Sequence, residues 1–195
     1  GSSASVNYPG ISLSDVGNDG SLDVMFSNTG EDKLSVLINN GDGTLQTTVE
    51  YTANDQPWGL TAGDFDGDGY IDAALSHYNS NYASVFINDG DGTFATKADY
   101  AVNGIYGRAI TSGDFDLDGD TDLAVDNNST VTSVLMNNGD GTFATAVDYT
   151  VLTSAWSMAA GDLNGDGYSD IASLSYASAG SNVSVLMNNG DGTFA

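Results

Sequence analysis

Apolar residues occur along the chain in short stretches rich in Val, Ile, Phe, Tyr and Thr, and clusters of Gly, Asn and Asp interrupt them every eight to twelve residues. This pattern is typical of β-strands joined by tight turns. No stretch repeats its apolar residues at the 3.6-residue period of a helix. The sequence therefore predicts an all-β protein.

Two polar motifs recur four times along the chain. A turn-like motif, NNGDGTL at 39–45, returns at 88–94, 137–143 and 188–194, and its second glycine advances by 49, 49 and 51 residues. An acidic motif, GDFDGDGYID at 63–72, returns at 113–122 and 161–170, with a degenerate copy at 14–23. This period predicts a single domain over 1–195 with four repeats, at approximately 11–60, 61–110, 111–159 and 160–195.

Each repeat is long enough for four short strands. In the second repeat we predict strands at 59–63, 72–76, 83–88 and 93–100, which would form an antiparallel meander. One meander cannot bury both of its faces, so successive meanders must pack face to face around an axis. The predicted fold is a β-propeller of four-stranded antiparallel blades, and an open β-solenoid is the alternative.

The chain ends bear on how such a ring closes. The last repeat stops where its fourth strand would begin, and residues 4–8 are similar to the predicted strand at 145–149 and could supply it. From the sequence, three arrangements stay open: closure by the two chain ends, an eight-bladed ring formed by two chains, and a fragment of a longer array.

The acidic motif has the spacing of a cation-binding loop. Counting Asp64 as position 1, Asp occupies positions 1, 3, 5 and 9, and Gly at position 6 allows a sharp turn with positive φ. With the carbonyl of position 7, such a loop offers a hard cation about six oxygens without the strict octahedron that magnesium requires. Zinc would require His or Cys, and the chain has one His and no Cys. An ion-free turn is the alternative.

We therefore predict calcium sites in three intact loops and a weaker site in the first loop. The first loop has Gly17 at position 3 and retains only Asp15, Asp19 and Asp23. The compact turn motif is interpreted as structural, so its own aspartates are not predicted as ligands. The predicted ligands of the intact loops are Asp64, Asp66, Asp68, Tyr70, Asp72, Asp114, Asp116, Asp118, Asp120, Asp122, Asp162, Asn164, Asp166, Tyr168 and Asp170.

The acidic motif at 63–69, the Asp72 that follows it and the NGDGTF-type turn together resemble the FG-GAP/VCBS repeat family. This family includes the propeller of integrin alpha subunits and many secreted bacterial and fungal proteins, some of them lectins. The resemblance covers nearly the whole chain and implies calcium in the loop joining the first two strands of each blade. It also implies a secreted or cell-surface protein, although the sequence contains no signal peptide. The degenerate first loop and the number of repeats depart from the family pattern.

The charge balance limits the partners of this chain. Three basic residues stand against 27 acidic ones, which gives a formal net charge of -24. Nucleic acids and anionic membranes require clustered Lys and Arg, so neither is an expected partner, whereas cations are. No apolar stretch reaches the length of a membrane-spanning helix.

The sequence gives little indication of catalysis. It has no thiol, its one His is His77, and ion binding already explains the repeated aspartates, so we expect a protein that is not an enzyme. His77 itself is expected on the surface or in a turn.

A candidate ligand site is predicted on the face opposite the acidic loops. Six residues before position 1 of its loop, each of the last three repeats carries Trp58, Arg108 or Trp156. Aromatic rings beside hydrogen-bonding groups suit a neutral sugar or a peptide loop. The alternative is that both tryptophans fill the interface between blades.

These features favour a calcium-binding recognition or adhesion module, lectin-like, with a glycan or an extracellular protein as its partner. One alternative is a structural scaffold that forms homo-oligomers by completing blades between chains. Another is a non-catalytic module of a larger secreted enzyme. Glycan binding would favour the first function, and concentration-dependent assembly would favour the scaffold.

Overall fold

The computed structural model describes residues 10–127, 130–152, 155–177 and 180–195. Within these ranges, no helix is long and apolar enough to cross a membrane. The described strands, in chain order, are β1 (Ile11–Ser14), β2 (Asp23–Asn28), β3 (Lys33–Leu37), β4 (Val49–Thr52), β5 (Pro57–Gly63), β6 (Asp72–His77), β7 (Tyr82–Phe86), β8 (Ala98–Ala101), β9 (Ile110–Gly113), β10 (Asp122–Asn127), β11 (Val131–Leu135), β12 (Val147–Thr150), β13 (Ala155–Gly161), β14 (Asp170–Ala177) and β15 (Gly180–Leu186).

The strands form four antiparallel sheets, and each sheet is a meander of strands consecutive in sequence. We call them blade 1 (β1–β4), blade 2 (β5–β8), blade 3 (β9–β12) and blade 4 (β13–β15). The prediction of an all-β, propeller-type fold with antiparallel blades is confirmed. The fourth strand of blade 4, predicted at residues 4–8, lies outside the described residues.

In blade 2, two strand starts differ from the prediction by two residues or more, and the third strand ends at Phe86 and not at residue 88. Its first strand begins at Pro57, so the predicted repeat boundary at residue 60 falls inside β5. Its last strand begins at Ala98 and not at residue 93. The preceding residues form only an isolated bridge between Asn88 and Phe94, because the turn motif closes on itself through bonds from Gly90 and Gly92 to the Asn88 side chain.

Neighbouring blades pack face to face through three apolar clusters. Because side chains alternate across a strand, each central blade supplies one set of residues to the blade before it and another set to the blade after it. In accordance with this, every residue of β6 and β10 is buried. The clusters include Met25, Leu34, Leu75 and Phe86 between blades 1 and 2; Phe65, Val85, Leu123 and Leu135 between blades 2 and 3; and Phe115, Val134, Ile171 and Leu186 between blades 3 and 4.

The turn motif adds a polar link between neighbouring blades. In blade 2, the side-chain amide of Asn88 donates to the carbonyl of Val16 in blade 1 at 2.9 Å. Asn137 and Asn188 make the same bond to the preceding blade, at 2.8 and 2.7 Å. In blades 2, 3 and 4, the first Asn of the motif therefore fixes the blade to the acidic loop of the blade before it.

The prediction that His77 lies on the surface or in a turn is wrong. The side chain is buried, and its Nε2 lies 2.8 Å from the Ser84 hydroxyl, which donates to Asp99 at 2.6 Å. Since the single hydroxyl proton goes to Asp99, Nε2 of His77 is the donor in the other bond. Asn127 occupies the equivalent position in blade 3 and donates to Ser133 in the same way. His77 is thus part of a buried polar network between strands.

Burial lowers the pKa of His77 to about 4, below its ordinary value of 6.5. Because the folded state holds the imidazole neutral, the unfolded state takes up a proton first as the pH falls. The free energy of unfolding therefore decreases as the pH falls from about 6.5 towards 4. We expect His77→Asn to remove this dependence, because Asn can donate to Ser84 as Asn127 does to Ser133. Between pH 7.5 and pH 4, the variant should lose about 3 kcal/mol less unfolding free energy than the parent.

Urea unfolding of the two proteins across this pH range measures the difference in unfolding free energy. The acidic loops are the same in both proteins, so their contribution to the pH dependence cancels. Parallel stability curves for parent and variant would contradict this prediction, because they require the pKa of the imidazole to be the same in the folded and unfolded states.

Candidate functional site

Each acidic loop joins the first two strands of its blade and is shaped by its own carboxylates. In blade 2, the two oxygens of Asp64 accept the backbone N–H groups of Gly67 and Gly69, at 2.8 and 2.9 Å. Both glycines have positive φ, 75° and 89°, which glycine adopts without strain. At position 7, Tyr70, Asp120 and Tyr168 each donate their backbone N–H to the carboxylate at position 5.

The aspartate at position 9 connects its loop to the end of the third strand. In blade 2, one oxygen of the buried Asp72 accepts the N–H of Phe65 at 2.8 Å, and the other accepts the N–H of Asn88 at 2.8 Å. The equivalent aspartates, Asp23, Asp122 and Asp170, make the same pair of contacts. Burial raises the pKa of Asp72 and of Asp122 to about 6. This aspartate therefore has a structural role that the loop spacing alone does not reveal.

Carboxylate oxygens converge in the loops of blades 2 and 3. Within the described ranges, two groups of three acidic side chains each have their oxygens within 4.8 Å of one another. One group is Asp64, Asp66 and Asp72, and the other is Asp114, Asp116 and Asp122. The structure thus brings together positions 1, 3 and 9. Asp68 and Asp118, predicted as ligands at position 5, do not belong to these groups.

The two groups have the properties of a cation site. Burial first, and then the neighbouring Asp68 and Asp64 charges, raise the pKa of Asp66. One oxygen of Asp114 is buried and accepts no hydrogen bond within the described part of the chain. A hard divalent cation would neutralise the converging charge and supply that missing partner. The side chains present therefore fit calcium, with Asp64, Asp66 and Asp72 as the ligands in blade 2 and their equivalents in blade 3.

The loops of blades 1 and 4 do not form such groups among the described residues. In blade 4, the Asn164 amide donates to Asp166 at 2.7 Å, and Asp162 accepts the N–H groups of Gly165 and Gly167. In blade 1, Asp15 accepts the N–H groups of Asp19 and Gly20. Gly17 has no side-chain oxygen to offer at position 3. Ligation in these two loops stays a prediction.

The predicted ligand residues lie together at the opposite end of the blades. The Arg108 guanidinium carbon is 4.6 Å from the centre of the Trp156 ring and 5.3 Å from that of Tyr78. Tyr78 stacks on Trp58 at 5.0 Å and packs edge-on against Tyr106 at 4.8 Å. We call these five residues the aromatic cluster. None of Trp58, Arg108 and Trp156 belongs to the described apolar clusters between blades.

Three residues of the aromatic cluster, Trp58, Arg108 and Trp156, line a cavity of about 360 Å³. The first strands of all four blades contribute to its wall, including Ile11, Leu60, Ile110 and Met158. Trp156 is 40% exposed, so part of its ring is accessible from solvent. The cluster lies where the chain enters these first strands, and the acidic loops lie where it leaves them. The two candidate sites are therefore at opposite ends of the blades.

A buried carboxyl behind the cluster was missed by sequence reasoning. Asp126 in β10 is buried, and one of its oxygens accepts the N–H of Ala155 at 2.6 Å. Burial raises its pKa to about 8, and the Arg108 charge partly opposes this shift. The equivalent residue in blade 2 is Ser76, whose hydroxyl accepts the N–H of Gly59. Aligning the repeats would have shown the replacement of Ser by Asp, but not its burial.

A family model for the FG-GAP-like repeat matches residues 15–75, 70–125 and 124–173. The chain belongs to the FG-GAP-like repeat family. No curated protein sequence matches the chain significantly.

Solved structures share the fold of this FG-GAP-like chain. A lectin of Agrocybe aegerita that recognises non-reducing terminal N-acetylglucosamine is 23% identical, with a TM-score of 0.67 over 97% of this chain and 51% of the lectin. BBS1N, solved in complex with ARL6DN, is 12% identical, with a TM-score of 0.62 over 98% of this chain and 56% of BBS1N. The chain thus spans about half the length of these structures, and at these identities the likeness concerns the fold alone.

Calcium is expected to stabilise the folded chain through the two carboxylate groups. An ion that binds only the folded state adds about 2.7 kcal/mol per site at one hundred times its dissociation constant. We expect calcium to raise the melting temperature of the parent protein, and the double variant Asp66→Asn/Asp116→Asn to lose more than half of this rise. Differential scanning calorimetry with calcium and with a chelator measures both quantities.

Asp42→Asn/Asp140→Asn is the matched control, because it removes two charges from exposed turn residues that bond to Thr44 and Thr142. The control should keep the full calcium response. An unchanged melting temperature of the parent protein on adding calcium, or an equal loss in both double variants, would contradict calcium binding by these groups.

Proposed function

We propose that this FG-GAP-like chain is a calcium-stabilised, non-catalytic recognition module that binds a glycan of an extracellular partner through the aromatic cluster. The observation that carries this proposal is the partly exposed Trp156 ring, held against Arg108 at the mouth of a cavity that all four blades line. The chain would act outside the cell, where calcium is abundant and glycans are displayed.

The geometry of the cluster suits a sugar ring. The apolar face of a pyranose packs against an exposed indole, and neighbouring polar groups then select among hydroxyl orientations. Arg108 lies over Trp156, and Tyr78 contacts both Arg108 and Trp58, so each ring is held by a neighbour. Rings that are ordered before binding lose little side-chain entropy when a ligand arrives. An uncharged ligand such as a neutral glycan also avoids the repulsion that an anionic one would meet near a chain of net charge -24.

Calcium has a structural role in this proposal. The carboxylate groups lie at the end of the blades opposite the aromatic cluster, so a bound ion would not contact the ligand. It would instead hold the connection between the first two strands of a blade, where Asp72 and Asp122 already join the loop to the third strand. Ligand binding should therefore depend on calcium only through the stability of the fold.

The chemistry of the described residues supports a non-catalytic role. His77, the one imidazole, is buried and bonded to Ser84, so it cannot reach a substrate at the cavity. The carboxylates of the acidic loops are engaged by backbone N–H groups or grouped for a cation. The likeness to a lectin that recognises terminal N-acetylglucosamine adds support from fold alone and makes this sugar a first probe.

Replacing Trp156 by Ala is expected to weaken glycan binding by about tenfold or more, because the exposed face of the ring provides the apolar contact. Tyr82→Ala is the matched control, since Tyr82 in β7 is 38% exposed against 40% for Trp156 and lies outside the cluster. A glycan array that includes N-acetylglucosamine-terminated probes, followed by calorimetric titration in calcium, measures the effect. Trp156→Leu provides a second variant that retains an apolar side chain.

An array without signal for the parent protein would contradict the proposed glycan binding, as would equal losses in Trp156→Ala and Tyr82→Ala. Melting curves in calcium show whether each variant is folded. A partner captured through a protein epitope with no glycan dependence would also contradict the proposal and would favour peptide recognition at the same cluster.

A further inference from the structure

The two outermost blades each expose a face whose equivalent is buried in the other blades. Every junction between blades uses the same two surfaces: a rear face on the earlier blade and a front face on the later blade. Blade 1 has its rear face packed on blade 2, and blade 4 has its front face packed on blade 3. The front face of blade 1 and the rear face of blade 4 have no such neighbour among the described residues.

The rear face of blade 4 is apolar and exposed. Its third strand presents Val183 and Val185, which are 59% and 42% exposed. At position 2 of its acidic loop, Leu163 is 59% exposed. The equivalents of these three residues in blades 1 to 3 are all at most 1% exposed. They are Leu34, Ala83 and Thr132 for Val183; Val36, Val85 and Val134 for Val185; and Val16, Phe65 and Phe115 for Leu163.

The front face of blade 1 shows the complementary pattern. Leu45 in its turn motif is 44% exposed, whereas the equivalent Phe94, Phe143 and Phe194 are 6 to 7% exposed. Its Asn39 bonds to Leu22 in the same blade, but within the described residues it makes no bond to a preceding blade. Its equivalents all do so. The front face of blade 1 and the rear face of blade 4 are therefore the two complementary surfaces of one further junction.

We propose that the rear face of blade 4 in one copy of this chain packs against the front face of blade 1 in a second copy, so that two copies form an eight-bladed ring. The internal junctions define the contacts. Phe115 packs on Phe194 with ring centres 5.5 Å apart, and Asn188 donates to the Phe115 carbonyl at 2.7 Å. Leu163 of one copy accordingly packs on Leu45 of the other, and Asn39 donates to the Leu163 carbonyl.

A second copy fits these faces for two reasons. First, the contact is heterologous, and such contacts form a ring when the rotation from copy to copy closes. The consecutive first strands β1, β5, β9 and β13 touch their neighbours, while β1 and β13 make no comparable contact in the described part of the chain. The four blades are thus an open arc. Second, this arc superposes on about half of longer propeller chains, and two such arcs give eight blades, within the range of known propellers.

Charge sets the conditions under which the ring forms. Two copies, each with a net charge of -24, repel one another at low ionic strength. Salt screens that repulsion, while the apolar contact is independent of it. The dissociation constant of the ring should therefore fall as the salt concentration rises from about 0.02 to about 0.3 M, because the Debye length shortens over this range.

The mass of the particle in solution tests the proposal. Light scattering coupled to size exclusion, in calcium and moderate salt, should give twice the mass of one chain for the parent protein. Leu45→Asp should raise the dissociation constant by at least tenfold, because it places a carboxylate in the contact. Ile105→Asp is the matched control: it carries the same charge change at a loop residue 43% exposed, against 44% for Leu45, and should stay dimeric.

Cysteine cross-linking tests which faces meet, because the chain has no Cys of its own. Mixed and oxidised, Leu45→Cys and Leu163→Cys should give a covalent dimer containing one copy of each variant, whereas either variant alone should give none. A dimer from Leu163→Cys alone would mean that like faces meet and would overturn the proposal. A parent protein that stays monomeric at millimolar concentration would overturn it as well. Melting curves of the single variants confirm that each is folded.

Discussion

Burial of both faces of each sheet is the constraint on which this structure depends. A four-stranded meander has two apolar faces and can cover neither by itself, so a blade is stable only between neighbours. Most interface positions are therefore apolar in successive repeats. Leu75 and Val85 point to opposite neighbours, and Phe65 and Phe143 meet across a junction at 5.8 Å. The repeat in the sequence is the consequence of this repeated interface.

The polar motifs act on the same junctions from the ends of the strands. The position-9 aspartate ties the acidic loop to the turn motif, and the first Asn of that motif reaches the acidic loop of the preceding blade. A cation held by Asp64, Asp66 and Asp72 would therefore stabilise a loop that also contributes to the blade interface. This arrangement places the carboxylates of the acidic loops at one end of the blades and Trp58, Arg108 and Trp156, the proposed recognition site, at the other.

Much of this architecture could be predicted because it repeats. The constant spacing of Gly43, Gly92 and Gly141 revealed the blades, and the alternation of carboxylates revealed the candidate cation loops. Single departures from the repeat could not be interpreted in the same way. His77 replaces an Asn and Asp126 replaces a Ser, and both are buried because their neighbours surround them, which one sequence does not show. The spacing likewise did not reveal that Asp68 binds a backbone N–H outside the group formed by Asp66 and Asp72.

Hydrogen exchange of backbone amides tests the dependence on neighbouring blades most directly. It is best measured on Leu45→Asp in calcium, so that contact between two copies does not cover the outer faces. The central blades are buried on both sides, so amides of β6, β7, β10 and β11 should exchange more slowly than those of β2, β3, β14 and β15. Equal protection in all four blades, or slowest exchange in the outer blades, would contradict the account that each blade is stabilised by its neighbours.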